Sequence, residues 1–159
     1  MSRRGHIWRG LAGGLAAGAA GTTALNGVTY LDMAVRGRPI SSTPEDTAEK
    51  LAALAGIEIP GEEETRNNRL AGLGPLTGIA SGLGVGAALG LSRALGFRPR
   101  LLIAGVLAAA GAMAGTDAPM AALGVTDPGS WDAKGWLTDA IPHLVYGLVT
   151  AAVVERLER

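Results

Sequence analysis

Residues 70–95 read LAGLGPLTGIASGLGVGAALGLSRAL. No charged residue interrupts the run before Arg93, and the run exceeds the roughly 20 apolar residues that carry a helix across about 30 Å of hydrocarbon. Glycine recurs at every fourth position: Gly74, Gly78, Gly82, Gly86 and Gly90. Residues four apart share a helix face, so the pattern predicts a membrane helix with a groove along one side. Another helix backbone can enter such a groove.

Three further apolar segments flank this one, at about 7–34, 101–124 and 136–154. The first repeats the glycine spacing at Gly10, Gly14 and Gly18, continued by Thr22, and the third has Gly111 and Gly115. The expected fold is therefore all-α: a single polytopic membrane domain over residues 1–159, with four Gly-rich transmembrane helices. The third span is the weakest, because Asp117 and Pro119 interrupt it.

The composition fits that reading. Hydrophobic residues make up 48% of the chain but aromatics only 4%, with one Phe against 25 Gly. A water-soluble core of this size needs more large aromatic side chains, whereas lipid-embedded helices pack through small ones. The net charge is zero, with no basic stripe to recruit nucleic acid. The absence of Cys excludes disulfides and thiolate chemistry. Arg outnumbers Lys twelve to two, as in a GC-rich bacterial genome.

Orientation follows the basic residues. With both termini cytoplasmic, the inner side holds eight of them (Arg3, Arg4, Arg9, Arg93, Arg98, Arg100, Arg156 and Arg159) beside only Glu155 and Glu158. The outer side holds six (Arg36, Arg38, Lys50, Arg66, Arg69 and Lys134) among the other twelve acids. Trp8 and Phe97 then fall at the inner boundary, and Tyr30, Trp131 and Trp136 at the outer one, where amphipathic rings settle. A rival reading takes Ser2-Arg3-Arg4 as a twin-arginine export signal, with Ala17-Gly18-Ala19 as its cleavage site.

The loop 37–69 carries its own helix signal. Ser42-Thr43-Pro44-Glu45-Asp46 combines hydroxyl caps, an early proline and acids in the first turn. Leu51, Leu54 and Ala55 give it an apolar face, so a short amphipathic helix is expected to lie on the outer surface or cap the bundle.

The second constellation is polar. Asp139 and His143 are four residues apart on one face of the last span, extended by Tyr146 and Gly147. His143 lies about 10 Å below Trp136, inside the hydrocarbon zone. Asn26, Tyr30 and Asp32 of the first span, Thr77 of the second and Asp117 of the third fall towards the same outer half. Two readings stay open. Asp139 can simply orient His143 while Asp32 pairs with Arg36 at the interface. Alternatively, Asp139, His143, Tyr146, Asn26, Tyr30, Asp32 and Asp117 form a vestibule that binds a cation or relays protons. No metal site is expected, since the two histidines fall on opposite sides of the bilayer. No catalytic motif or cofactor-binding loop is legible, and an enzymatic role is not expected.

The segment Asp139-Ala140-Ile141-Pro142-His143-Leu144-Val145-Tyr146-Gly147 resembles the final helix of small actinobacterial inner-membrane proteins of unassigned role. More remotely it is similar to YagU-like inner-membrane proteins, which also end in a His-x-x-Tyr-Gly helix after Gly-rich spans. The resemblance implies a multi-pass inner-membrane protein. The acid-tolerance link of the YagU-like group is compatible with a titratable Asp139–His143 pair. The loop 37–69 has no counterpart in it.

Two functions are expected to compete. One is a structural or accessory bundle in the lipid bilayer, whose glycine faces join a second copy or a larger membrane complex. The other is an ion, proton or small-solute pathway through the polar cluster.

Overall fold

The computed structural model describes residues 2–158. These form α1 (Arg3–Arg36), α2 (Thr43–Leu54), α3 (Glu63–Ala94), α4 (Leu101–Ala122), a 3-10 turn (Pro128–Ser130) and α5 (Ala133–Glu158). Among the described residues there are five α-helices and no strand.

The four long helices run alternately up and down. α1 lies between α3 and α5, α4 packs on α5, and α3 and α4 meet only shallowly. The N-terminal half of α1 is therefore level with the C-terminal ends of α3 and α5. Its C-terminal half is level with the start of α5, where Arg36 Nη1 donates to Thr138 Oγ1 at 3.3 Å.

Helix ends follow local chemistry. Ser2 Oγ accepts from the Gly5 N–H at 3.3 Å and caps α1. α2, α3 and α4 all close with the same motif, in which a glycine at positive φ (Gly56, Gly96, Gly124) turns the chain. The next residue then bonds back across the last turn: Ile57 to the Ala52 carbonyl, Phe97 to Ser92, Val125 to Met120.

Three helices, α3, α4 and α5, are long and apolar enough to cross a membrane, which characterises a membrane protein. The packing agrees. The buried core is mainly Ala and Gly around Tyr146, while Leu76, Leu102, Ile103, Val106, Leu137 and Ile141 point outward. In water so much exposed apolar surface would be a liability; against acyl chains it costs nothing. α1, although longest, falls outside that group of three. Its middle is Gly, Ala and Thr, with few large apolar side chains.

Several boundaries differ from the sequence expectation. α3 begins at Glu63, ahead of the apolar span that opens at Leu70, as the run Glu62-Glu63-Glu64 leads one to expect, because acids favour the positive end of the helix dipole. α4 runs unbroken through Asp117 and Pro119. Proline here removes one hydrogen bond close to the helix end, where little is lost. α5 starts at Ala133, one turn before Trp136. α2 forms as expected. Thr47 and Ala48 are buried, with the Pro44–Glu45 backbone against Gly74, whereas Leu51, Leu54 and Ala55 are exposed. Lys50 Nζ fixes this orientation by donating to the Leu123 and Gly124 carbonyls (2.7 and 3.1 Å) at the negative end of α4.

Candidate functional site

Two helix contacts build the frame of the site, and both depend on missing side chains. Along the α1–α3 seam Gly10 faces Gly90, Gly14 faces Gly86 and Gly18 faces Gly82. A step of four on one helix is matched by a step of four on its antiparallel neighbour. A methyl group added at Gly90 would lie 2.8 Å from Gly14 Cα; one at Gly10 would lie 2.7 Å from the Gly90 carbonyl oxygen.

The α4–α5 seam uses Gly105 and Gly147. A Cβ at Gly147 would lie 2.7 Å from the Ala109 nitrogen, and one at Gly105 would lie 2.7 Å from Leu148 Cδ2. Gly21 performs the same service between α1 and α5, against Tyr146 and Thr150.

Not every glycine of the expected face belongs to a seam between long helices. Gly74 packs on α2, Gly111 makes ordinary contact with Val85, and Gly78 and Gly115 have open space beside them. The seam therefore ends where Thr22 takes the glycine position on α1 and donates its hydroxyl to the Gly18 carbonyl at 2.9 Å. Gly21, Gly105 and Gly147 were not read as packing residues from sequence. The small-x-x-x-small pairs Gly105/Ala109 and Gly147/Ala151 carry the signal that would have found them.

Upon this frame α4 and α5 bring three ionisable side chains together. His143 is 91% buried, with Nδ1 2.9 Å from the Asp139 carbonyl oxygen and 3.3 Å from Asp139 Oδ1. Asp117, half-buried on α4, is within electrostatic reach of both. Thr116 Oγ1 stands 3.3 Å from Asp117 Oδ1. The second carboxylate oxygen of Asp139, Oδ2, is buried and has no hydrogen-bond donor.

The remaining expected members are not part of this cluster. Tyr146 is almost wholly buried, and its hydroxyl donates to the Gly82 carbonyl at 2.6 Å, tying α5 to α3. Tyr30 is exposed. Asp32 is held by Arg36 at 3.3 Å and by Arg38, which is the interfacial pairing weighed above. Asn26 is half-buried on α1. Among the described residues no group of three or more His, Asp or Glu is arranged to hold a metal ion.

Tyr146 thus ties α5 to α3 within the Ala/Gly core. Replacing it with Phe keeps the ring and deletes the hydroxyl. A loss of about 1 kcal/mol is expected for one buried hydrogen bond, read as a lower midpoint in denaturation of the detergent-solubilised protein.

In comparisons with protein-family models, with characterised proteins and with solved structures, nothing matches this chain.

Proposed function

We propose that this chain is a non-enzymatic, four-span protein of a bacterial inner membrane, with a proton-binding site at Asp117, Asp139 and His143. The reading rests on one observation: two helices deliver two carboxylates and an imidazole to one point, where Asp139 Oδ2 is sheltered and lacks a donor. Placing ionisable groups within a membrane bundle is costly, and such groups usually mark ion or proton pathways. The fourth crossing is assigned to α1, which shares the close-packed seam with α3 over several turns. Cytoplasmic termini follow from the arginines, since the start of α1, the α3–α4 turn and the end of α5 share one end of the bundle.

The site faces the opposite end. Beneath it Tyr146 and close-packed small residues fill the centre of the bundle, with the buried hydroxyl of Thr150 among them. The likeness of Asp139–Gly147 to YagU-like proteins is compatible with a titratable Asp139–His143 pair. The test is dissipation of an imposed pH gradient in proteoliposomes, with and without Na⁺ or K⁺. Wild type should exceed protein-free vesicles, and Asp139→Asn and His143→Ala should fall to the protein-free rate. Identical rates in all four preparations would remove the proposal.

The accessory-bundle reading keeps one supporting observation. Gly78 and Gly84 on α3 face open space, so self-association retains an unfilled surface even though α1 fills the main seam. A strictly monomeric detergent-solubilised particle would count against it.

A further inference from the structure

One face of α2 is buried in the first half of the helix and exposed in the second. Thr47 and Ala48 are 5% and 6% exposed, where α2 packs on α3. Leu51 and Ala55 follow Ala48 on that face at three and seven positions, and Leu54 follows Thr47 at seven. Yet Leu54 is 74% exposed, and Ile57, just beyond the helix, 62%. The face therefore runs on past the edge of the bundle. We propose that this overhang is seated in lipid, at the boundary between headgroups and acyl chains of the leaflet on the α2 side. The inference rests on α3 and α4 crossing the membrane, and on neither the Asp117–Asp139–His143 site nor the fourth span.

The depth of α2 is set by what it touches. The Pro44–Glu45 backbone lies against Gly74. Gly74 is seven residues from Ser81, the middle of the uncharged run 70–92, or about 10 Å along the helix. Half the hydrocarbon thickness is about 15 Å, so the start of α2 sits at the edge of the apolar layer. Lys50, nearly two turns on, donates to the Leu123 and Gly124 carbonyls. α4 has 22 residues, a length of about 33 Å, so its end also falls at that edge. Both contacts hold α2 along the boundary rather than above it in water.

The direction of its faces follows from an ion pair. Glu49 pairs with Arg66. Arg66 stands eight residues before Gly74 on α3, about 12 Å further towards the water. The acidic side of α2 therefore looks away from the mid-plane. At 3.6 residues per turn, Leu51 lies about 160° round the helix from Glu49 and Leu54 about 140°. Both project towards the acyl chains. Leu73 and Leu76 of α3 are exposed at this level, so the overhang continues the lipid-facing surface of the span. An amphipathic helix with its apolar side at this depth is a general mode of interfacial attachment.

The chain has no Cys, so a single introduced cysteine carries a polarity-sensitive fluorophore without background. Full-length Leu54→Cys, Ala53→Cys and Leu76→Cys are labelled and reconstituted in phosphatidylcholine vesicles. Quenching is measured with aqueous iodide and with phosphatidylcholine bearing a nitroxide near the top of its acyl chain. Leu54→Cys should show blue-shifted emission, lose iodide quenching and gain lipid quenching. Ala53→Cys, exposed and about 100° round the helix from Leu54, should show the reverse. Equal behaviour of these two variants overturns the inference. Leu76→Cys reports the α3 span itself. Lipid quenching there with none at Leu54→Cys overturns the inference and leaves the membrane reading intact; absence of lipid quenching at both overturns both. Pyrene attached at Leu54→Cys distinguishes the remaining occupant. Excimer emission that rises with the protein-to-lipid ratio, with iodide excluded and no lipid quenching, would identify a second copy as the cover and overturn the lipid assignment. Monomer emission at every ratio supports it.

Discussion

Gly86→Leu is expected to abolish the folded bundle, whereas Gly84→Leu, two residues away, should be tolerated. At Gly86 the first added carbon would lie 2.6 Å from both the nitrogen and the Cα of Gly18 and would press on the Gly14 carbonyl. These neighbours are backbone atoms of a helix and cannot rotate aside, so α1 and α3 must separate along the whole seam. Even Gly86→Ala should cost about 1–3 kcal/mol as a local overpacking, and the larger side chain adds branched carbons in the same place. Gly84 is exposed, with nothing within 4 Å of an added Cβ; a leucine there would only add apolar surface facing outward. Denaturant titration of the two variants in detergent, followed by circular dichroism and gel filtration, checks the contrast. Equal stability of the two would mean that the seam does not hold the bundle.

Gly147→Leu is the second large effect, and it should strike stability and the polar site together. A Cβ at Gly147 meets Ala109 at 2.7 Å (nitrogen) and 2.9 Å (Cβ), and also the Gly105 carbonyl. Forcing α4 from α5 at this point draws Asp117 away from Asp139 and His143, which lie on the same two helices. The variant should therefore lose gradient dissipation along with its cooperative unfolding. Gly147→Ala provides the graded case: it should be destabilised by about 1–3 kcal/mol and slowed in flux, with Asp139 and His143 both still present. Intact flux in a clearly destabilised Gly147→Ala would separate the site from the seam and weaken the proposed role of the cluster.

How far the sequence could be read depended on which interactions are local. The fourfold glycine spacing from Gly74 to Gly90 announces a helix with a groove, because it is a one-helix property, and the structure fills that groove with Gly10, Gly14 and Gly18. The start of α2 at Thr43 is equally local. Direction is not: Leu51 and Leu54 form an apolar face in the sequence, but the Lys50 bonds to carbonyls more than 70 residues away turn that face outward. Within the polar constellation the Asp139–His143 pair was legible from its spacing, since both sit on one helix. Which other helix would supply a partner was not. Asp117 joins them because Gly105 and Gly147 set the register of α4 on α5, whereas Asp32 is taken by Arg38, six residues along the chain. Tyr146 shares the His143 face, yet its hydroxyl reaches Gly82 on a third helix, a distance no periodicity encodes.

The scarcity of large side chains in the middle of α1 bears on how the protein is made. On the four-span proposal, α1 leaves the ribosome before α3 with little lipophilicity of its own, and its main stabilising surface, the groove of α3, has not yet been synthesised. Its retention in the bilayer must then await the arrival of that later segment. Truncation after α2 should yield a first helix that is poorly retained in the membrane, and restoring residues 63–94 should anchor it.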